Sequence, residues 1–185
     1  MVPSYQDIHR DIIELSKARN SQAQFQLYRL YAKAMYNICY RIMNNREEAE
    51  DMLQESFTEA FMKIDTFRFE SAFGAWLKRI TVNKCINALK KRKAELVYTD
   101  TVSDSRHEEE EFDPRGLTVA QVQHAMEELP EGYRLVFSLF LLEGYDHGEI
   151  AQILGISEST SKSQYTRARQ KIKQILTQKG YGRQV

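Results

Sequence analysis

The stretch from Tyr145 to Lys173, YDHGEIAQILGISESTSKSQYTRARQKIK, leaves this chain few choices of fold. Two helical periodicities meet there at one glycine. Asp146 stands where a carboxylate caps a helix N-terminus by accepting from a free backbone N–H. Ile150, Ile153 and Leu154 follow at helical spacing. Gly155 ends that helix, because the left-handed conformation is cheap for glycine. Ile156 is placed to plug the angle between two helices, and Ser157 is the next N-cap candidate. Ala151 is small where the second helix must cross closely. This order of residues predicts a helix-turn-helix.

The second helix of that unit indicates its use. Tyr165, Ala168, Ile172 and Leu176 line one face. Ser159, Thr160, Ser163, Thr166, Arg167 and Gln170 point away from it, with Lys162 on the edge. That outward face carries hydroxyls, an amide and a guanidinium. Such groups hydrogen-bond phosphates and base edges, and a helix fits the major groove of DNA. Arg169, Lys171, Lys173, Lys179 and Arg183 add positive charge, against Glu158 as the one acid from Ser157 onward. A basic amphipathic helix can also be a plain solvated one. The cap and glycine turn in front of it favour DNA.

The remaining chain is helical in pattern. Its 185 residues, 42% apolar and 28% charged with 8 glycines and 3 prolines, suit one domain or two small ones. That is too apolar for disorder and too poor in turn residues for an all-β fold. The formal net charge is zero, but the charges are segregated along the chain. Cys39 and Cys85 lie in apolar helical stretches without metal-ligand spacing, so they read as buried free thiols in a reducing cytosol. The N-terminal MVPSYQDIHRD has no apolar core of a signal peptide. No apolar run approaches the ~20 residues that span a bilayer. A cytoplasmic protein with no membrane insertion, no metal and no cofactor is expected.

Residues 1–20 predict a lead-in helix with Ile8, Ile12 and Leu15 on one side. From Ser21, the residues Phe25, Leu27, Tyr28, Leu30, Tyr31, Met35, Ile38, Cys39 and Ile42 keep helical spacing on two sides, as in a helix sandwiched between neighbours. Asn44-Asn45 breaks it. Arg46 to Phe67 is the next helix. Its buried stripe is Ala49, Met52, Leu53, Phe57, Ala60, Phe61 and Ile64. Its other face holds Glu47, Glu48, Glu50, Asp51, Glu55 and Glu59. The first two suit the positive end of the helix dipole. The others make either a solvated face or a docking surface for a basic partner.

Thr66 to Phe73, TFRFESAF, is an aromatic loop, and Gly74 starts a third helix, GAWLKRITVNKCINALKKRK. Trp76, Leu77, Ile80, Ile86 and Leu89 include its core positions. Its charged residues, from Lys78 and Arg79 to Lys93, are all basic, and Asn83 and Asn87 share a face. Cations beside Phe67, Phe69 and Phe73 suit single-stranded nucleic acid, whose backbone they hold while rings stack on unpaired bases. Core packing is the competing role for each ring, and the favoured one for Trp76. Ala94 to Leu117 reads as a flexible acidic linker. Helices resume at Thr118 and after Pro130, the latter running to Gly144. The fold expected is all-α: an N-terminal helical domain (1–93), the linker (94–117) and a C-terminal helix-turn-helix domain (118–185).

In this order the pieces resemble a bacterial extracytoplasmic-function sigma factor of the sigma-70 family. AEDMLQESFTEAF resembles the core-polymerase-binding helix, with Asp51, Gln54 and Glu55 at the motif positions. FGAWLKRITVNKCINALKKRK resembles the helix that melts and reads the upstream edge of the promoter bubble. On that resemblance Phe67, Phe69, Arg79, Asn83, Asn87 and Lys90 would meet the minus-ten region. LPEGYRLVFSLFLLEGYDHGEIAQILGISESTSKSQYTRARQKI resembles the domain that reads the minus-thirty-five element. There Ser159, Thr160, Lys162, Ser163, Thr166, Arg167 and Arg169 would contact DNA. The resemblance implies core RNA polymerase and promoter DNA as partners and leaves room for an anti-sigma factor. It departs from the family pattern in two places. Ser159-Thr160-Ser161-Lys162-Ser163 stands where Gly-Thr-Val-Lys-Ser is common, which puts a serine on the inward side. Asn87 stands where aspartate is common.

Two other classes compete. A helix-turn-helix regulator that is not a polymerase subunit would need a phosphoacceptor or ligand domain, and the first ninety residues do not read as one. An enzyme would need a positioned base, nucleophile or metal cluster. His9, His107, His124 and His147 are scattered instead, and no phosphate-cradling glycine loop is present.

Overall fold

The computed structural model describes residues 8–92 and 116–181. The expected linker therefore lies outside the described residues up to position 115, as do residues 1–7 and Arg183. The chain divides into two compact units, Met1–Lys93 and Ala94–Val185. All regular structure among the described residues is helical.

The first unit holds α1 (Arg10–Lys17), α2 (Ser21–Met43), α3 (Arg46–Lys63) and α4 (Phe73–Arg92). The Asn side chain of Asn20 caps α2 by accepting from the Ala23 N–H at 3.0 Å. Asn44 ends α2 in the left-handed region, φ 53°. Asn45 then caps α3, accepting from the Glu48 N–H at 3.0 Å. The Asn-Asn pair thus closes one helix and opens the next, each by the chemistry asparagine favours there. Central α2 packs against α1, α3 and α4. Leu27, Ile38, Cys39 and Ile42 of α2, Ala49, Leu53 and Phe57 of α3, and Leu77, Val82, Ile86 and Leu89 of α4 are buried. Gly74 lets the first turn of α4 close on α2, because a Cβ there would lie 3.0 Å from Tyr31 Cε1. Cys39 and Cys85 are free and buried. A hydrogen bond with Cys39, together with burial, pushes the Cys85 thiol up, which makes it inert rather than nucleophilic.

In α1 and α2 the buried positions differ from expectation. In α1 the buried positions are Ile13 and Ser16, while Leu15, and Ile8 ahead of the helix, are exposed. Ser16 can be buried because its hydroxyl donates to the Ile12 carbonyl at 2.8 Å. In α2, Phe25 and Leu30 are exposed at 60% and 49%. Three neighbours cover only part of the circumference of α2, and these two side chains fall outside that arc.

The second unit holds α5 (Val119–Glu127), α6 (Glu131–Phe137), α7 (His147–Leu154) and α8 (Glu158–Gln178). Thr118 and Gln121 form a capping box at α5. Pro130 precedes α6, and one π-helical turn, Ser138–Leu142, extends it. The core gathers Ala125, Met126, Leu129 and Phe137 around Ala168, Ile172, Ile175 and Leu176 of α8. Buried Arg134 donates to the Leu129 carbonyl at 3.1 Å, tying the α5–α6 turn to α6.

Candidate nucleic-acid interface

The α7–α8 unit is built as its caps require. The Asp146 carboxylate accepts from the Glu149 N–H at 2.8 Å, and the Glu149 carboxylate accepts from the Asp146 N–H at 2.9 Å. Gly155 ends α7 at φ 75°. The Ser157 hydroxyl accepts from the Thr160 N–H at 3.0 Å, so α8 starts sharply at Glu158. Ala168, Ile172 and Leu176 are buried and fix which side of α8 faces the protein. Ser161 and Gln164 are buried beside them, two polar side chains on the apolar face. Periodicity alone did not single out Gln164.

Ser159, Lys162, Thr166 and Arg169 are exposed, and Thr160 and Ser163 are half-buried. The Ser163 hydroxyl donates to the Thr160 carbonyl at 3.0 Å, and the Thr166 hydroxyl donates to the Lys162 carbonyl at 3.1 Å. Their protons are spent on the helix, so each oxygen is presented outward as an acceptor. Lys162 is paired with Glu158 at 2.7 Å. Arg169 lies over the Tyr165 ring at 6.0 Å. Arg167 differs from the expected outward pose. It is half-buried, with Nη1 enclosed.

In the first unit Asp51, Gln54 and Glu55 are exposed on α3. Much of the surrounding acidity is spent internally. Glu48 accepts from Arg92 at 2.6 Å, and Glu50 pairs with Arg46 at 3.0 Å. Lys84 of α4 reaches Glu59 at 2.9 Å and Glu55 at 3.5 Å. The hydrogen bond from Lys63 and then that from Lys84 hold the Glu59 carboxyl below its ordinary value. The bond to Glu59 holds the Lys84 ammonium above its own. Lys84 was one basic residue among several in the sequence. Only the crossing of α3 and α4 shows that it bridges them.

A groove of about 670 Å³ runs along that crossing. Glu55 and Glu59 line it from α3, and Trp76, Arg79, Asn83, Asn87 and Lys90 line it from α4. The acidic residues and the basic, amide-bearing face therefore share one groove. Arg79, Asn83, Asn87 and Lys90 are exposed there.

The aromatic loop is different from its expectation. Phe67 is 3% exposed and Phe73 is fully buried. Phe67 packs on Phe69 at 4.8 Å, and on Phe73 and Trp76 at 5.4 Å each. Phe67 is thus a floor beneath the loop rather than a stacking ring. Phe69 is half-buried, with the Arg10 guanidinium 4.5 Å and the Lys17 ammonium 4.4 Å from its centroid. Trp76, expected in the core, is half-buried between this cluster and the groove. Ile80 is likewise half-buried on the groove side.

Two helical units, one carrying a capped helix-turn-helix with an acceptor-rich outer face, define a helix-turn-helix DNA-binding protein. Comparison with known proteins narrows the class. Residues 27–95 match the family model for sigma-70 region 2, and residues 120–172 match that for sigma-70 region 4. The ECF RNA polymerase sigma factor SigM of Mycobacterium tuberculosis is 31% identical over 82% of this chain and 76% of its own. The ECF RNA polymerase sigma-E factor of Salmonella typhimurium is 33% identical over 68% of this chain and 72% of its own. The sigma factor RpoE of Bartonella quintana, solved with the anti-sigma factor NepR, superposes with a TM-score of 0.55. It is 25% identical and covers 82% of this chain and 95% of its own. The chain belongs to the extracytoplasmic-function (ECF) RNA polymerase sigma factors, which are transcription initiation factors.

Proposed function

We propose that this chain binds core RNA polymerase through Asp51, Gln54 and Glu55 of α3 and directs it to promoters that its two units read. The first unit, assigned to residues 1–93, meets the minus-ten region. Arg79 and Lys90 hold the strand, and Asn83 and Asn87 offer amides to exposed bases. The second unit, assigned to residues 118–185, reads the minus-thirty-five element with Ser159, Thr160, Lys162, Ser163, Thr166, Arg167 and Arg169. Residues 94–117 link the two. The chain acts by binding rather than by catalysis, and it works in the cytoplasm. An anti-sigma factor is a further partner, as one is for the Bartonella relative.

The observation that carries this reading is the shared groove. Exposed cations and amides of α4 stand beside the exposed carboxylate of Glu55, so one small unit offers neighbouring surfaces to a polymerase and to a DNA strand. Amide and guanidinium groups can read base edges and phosphates together.

Permanganate footprinting on a cognate promoter with reconstituted holoenzyme tests it. Arg79→Ala with Lys90→Ala should reduce melting more than closed-complex binding, because the single strand is met only after melting. Full melting by the double variant would overturn the minus-ten assignment. Binding of the promoter by the chain alone, unchanged by core polymerase, would point instead to a stand-alone helix-turn-helix regulator.

A further inference from the structure

We infer that α1 and the turn that follows it form a strap whose cations, Arg10 and Lys17 on the helix and Arg19 just beyond it, hold the loop after α3 in the one conformation that promoter melting uses. The structural half of this inference stands on contacts within the first unit. Its functional half rests on the proposed role of that unit at the minus-ten region.

Phe69 sits at φ 59°, in the left-handed region. That region is sterically unfavourable for a bulky side chain, so surrounding contacts must impose it. The contacts come from α1. Arg10 and Lys17 are seven residues apart, two helical turns, and so lie on one face. Both place a cation 4.4–4.5 Å from the Phe69 centroid. Aromatic rings attract cations electrostatically at this range.

A second clamp acts at the start of the loop. Arg19 donates to the Phe61 carbonyl at 2.7 Å and to the Asp65 carboxylate at 2.7 Å. It grips the end of α3 and the short turn Ile64–Thr66 that leads into the loop. Arg19 is itself left-handed, at φ 62°. His9 anchors the other end of α1, edge-on to Tyr31 at 5.9 Å, and Tyr31 in turn packs on Phe73 at 5.3 Å. The strap therefore meets the loop at Phe69, at its start through Arg19, and at its end through the His9–Tyr31–Phe73 contacts. Beneath lie Phe67, Phe73 and Trp76, which opens onto the groove with Asn83 and Asn87. A shift of the loop would be transmitted through Phe67 to Trp76 and so to the groove.

Trp76 is the sole tryptophan of the chain, so its fluorescence reports on the loop without any DNA. The experiment compares parent, Arg10→Ala with Lys17→Ala, the conservative pair Arg10→Lys with Lys17→Arg, and Phe69→Ala. Each is measured twice: by acrylamide quenching of Trp76 in the free protein, and by permanganate reactivity of a cognate promoter with holoenzyme. The alanine pair should raise quenching and lower open-complex formation by about two- to fivefold per cation, the size of one exposed cation–π contact. Helix content and core binding should hold, and the conservative pair should restore both readouts. Unchanged quenching in the alanine pair overturns the strap itself. Raised quenching with full melting, while Phe69→Ala melts poorly, also overturns it, because the loop would then work unstrapped. Full melting by Phe69→Ala as well would place the failure in the assignment of this loop to the promoter. Increased melting in the alanine pair would overturn the positioning role in favour of a latch.

Discussion

His147 Nδ1 lies 2.9 Å from Ser161 Oγ, a hydrogen bond that joins the first turn of α7 to the first turn of α8. The imidazole is stacked on Phe140 at 4.4 Å and meets Tyr165 edge-on at 5.8 Å. Ser161 is fully buried. An inward serine where the family pattern has valine thus has a partner: the polar side chain on the recognition helix is matched by one on the preceding helix. The bond adds a directional tie to the angle between the two helices, which apolar packing alone specifies less sharply.

That pairing should be visible as coupling. Ser161→Ala should lower stability by about 1 kcal/mol, the cost of a lost, partly buried hydrogen bond. With His147→Phe already in place, Ser161→Ala or Ser161→Val should cost markedly less. Urea unfolding of the four proteins of a double-mutant cycle measures this. Additive effects would remove the bond from the description of the turn.

On α3, Asp51→Ala with Glu55→Ala should weaken binding to core polymerase by about tenfold, or ~1.4 kcal/mol. Helix content by circular dichroism should not change, because both residues are exposed and Lys84 keeps its shorter contact to Glu59. Equal affinity of the variant and the parent would sink the docking assignment.

Glu59, bonded first by Lys63 and then by Lys84, sets a pH window together with Lys84. A carboxyl held low contributes stability above its unfolded pKa and loses it as pH falls through the folded value. An ammonium held high contributes below its unfolded pKa and loses it as pH rises through the folded value. These contacts should therefore stabilise the first unit between roughly pH 5 and pH 10. The gain is about 0.2–1 kcal/mol, as for other half-exposed pairs. Glu59→Gln should flatten the acid limb of thermal stability against pH. An acid limb identical to the parent's would show that neither the Lys63 nor the Lys84 contact of Glu59 contributes.

Helix α8 should fail in two distinguishable ways. Ser163→Ala or Arg167→Ala should change the preferred upstream element at roughly 1–3 kcal/mol per lost base contact. Because Arg167 is partly enclosed, its substitution should also cost some stability, which Ser163→Ala should not. Lys171→Ala should weaken binding to all sequences alike and lower the salt slope by about one. Binding selection on a randomised upstream element at two salt concentrations separates these outcomes.

What the sequence showed and what it did not have physical reasons. Gly155, Asp146, Ser157 and the Asn44–Asn45 break were legible because each acts within one helical turn of itself. The buried stripe of α3 was legible because its period is local. Phe25 and Leu30 were misplaced because periodicity shows which side chains are apolar, not how many neighbours a central helix has. Phe67 and Phe69 look ready for bases in the sequence because a loop sequence does not reveal what packs against it. Phe69 meets Arg10 and Lys17, more than fifty residues upstream of it, and Phe67 meets Phe73 and Trp76. Lys84 and the His147–Ser161 pair were hidden for the same reason: each contact joins different helices, and residue type alone does not specify it.

Transcription start-site mapping with purified core polymerase shows whether this chain selects promoters. Core polymerase would be incubated with genomic DNA with and without this chain. Addition of the chain should create discrete start sites sharing an upstream element, and Ser163→Ala or Arg167→Ala should change which sites are used. No new start sites, with binding to core polymerase intact, would contradict the role in promoter selection.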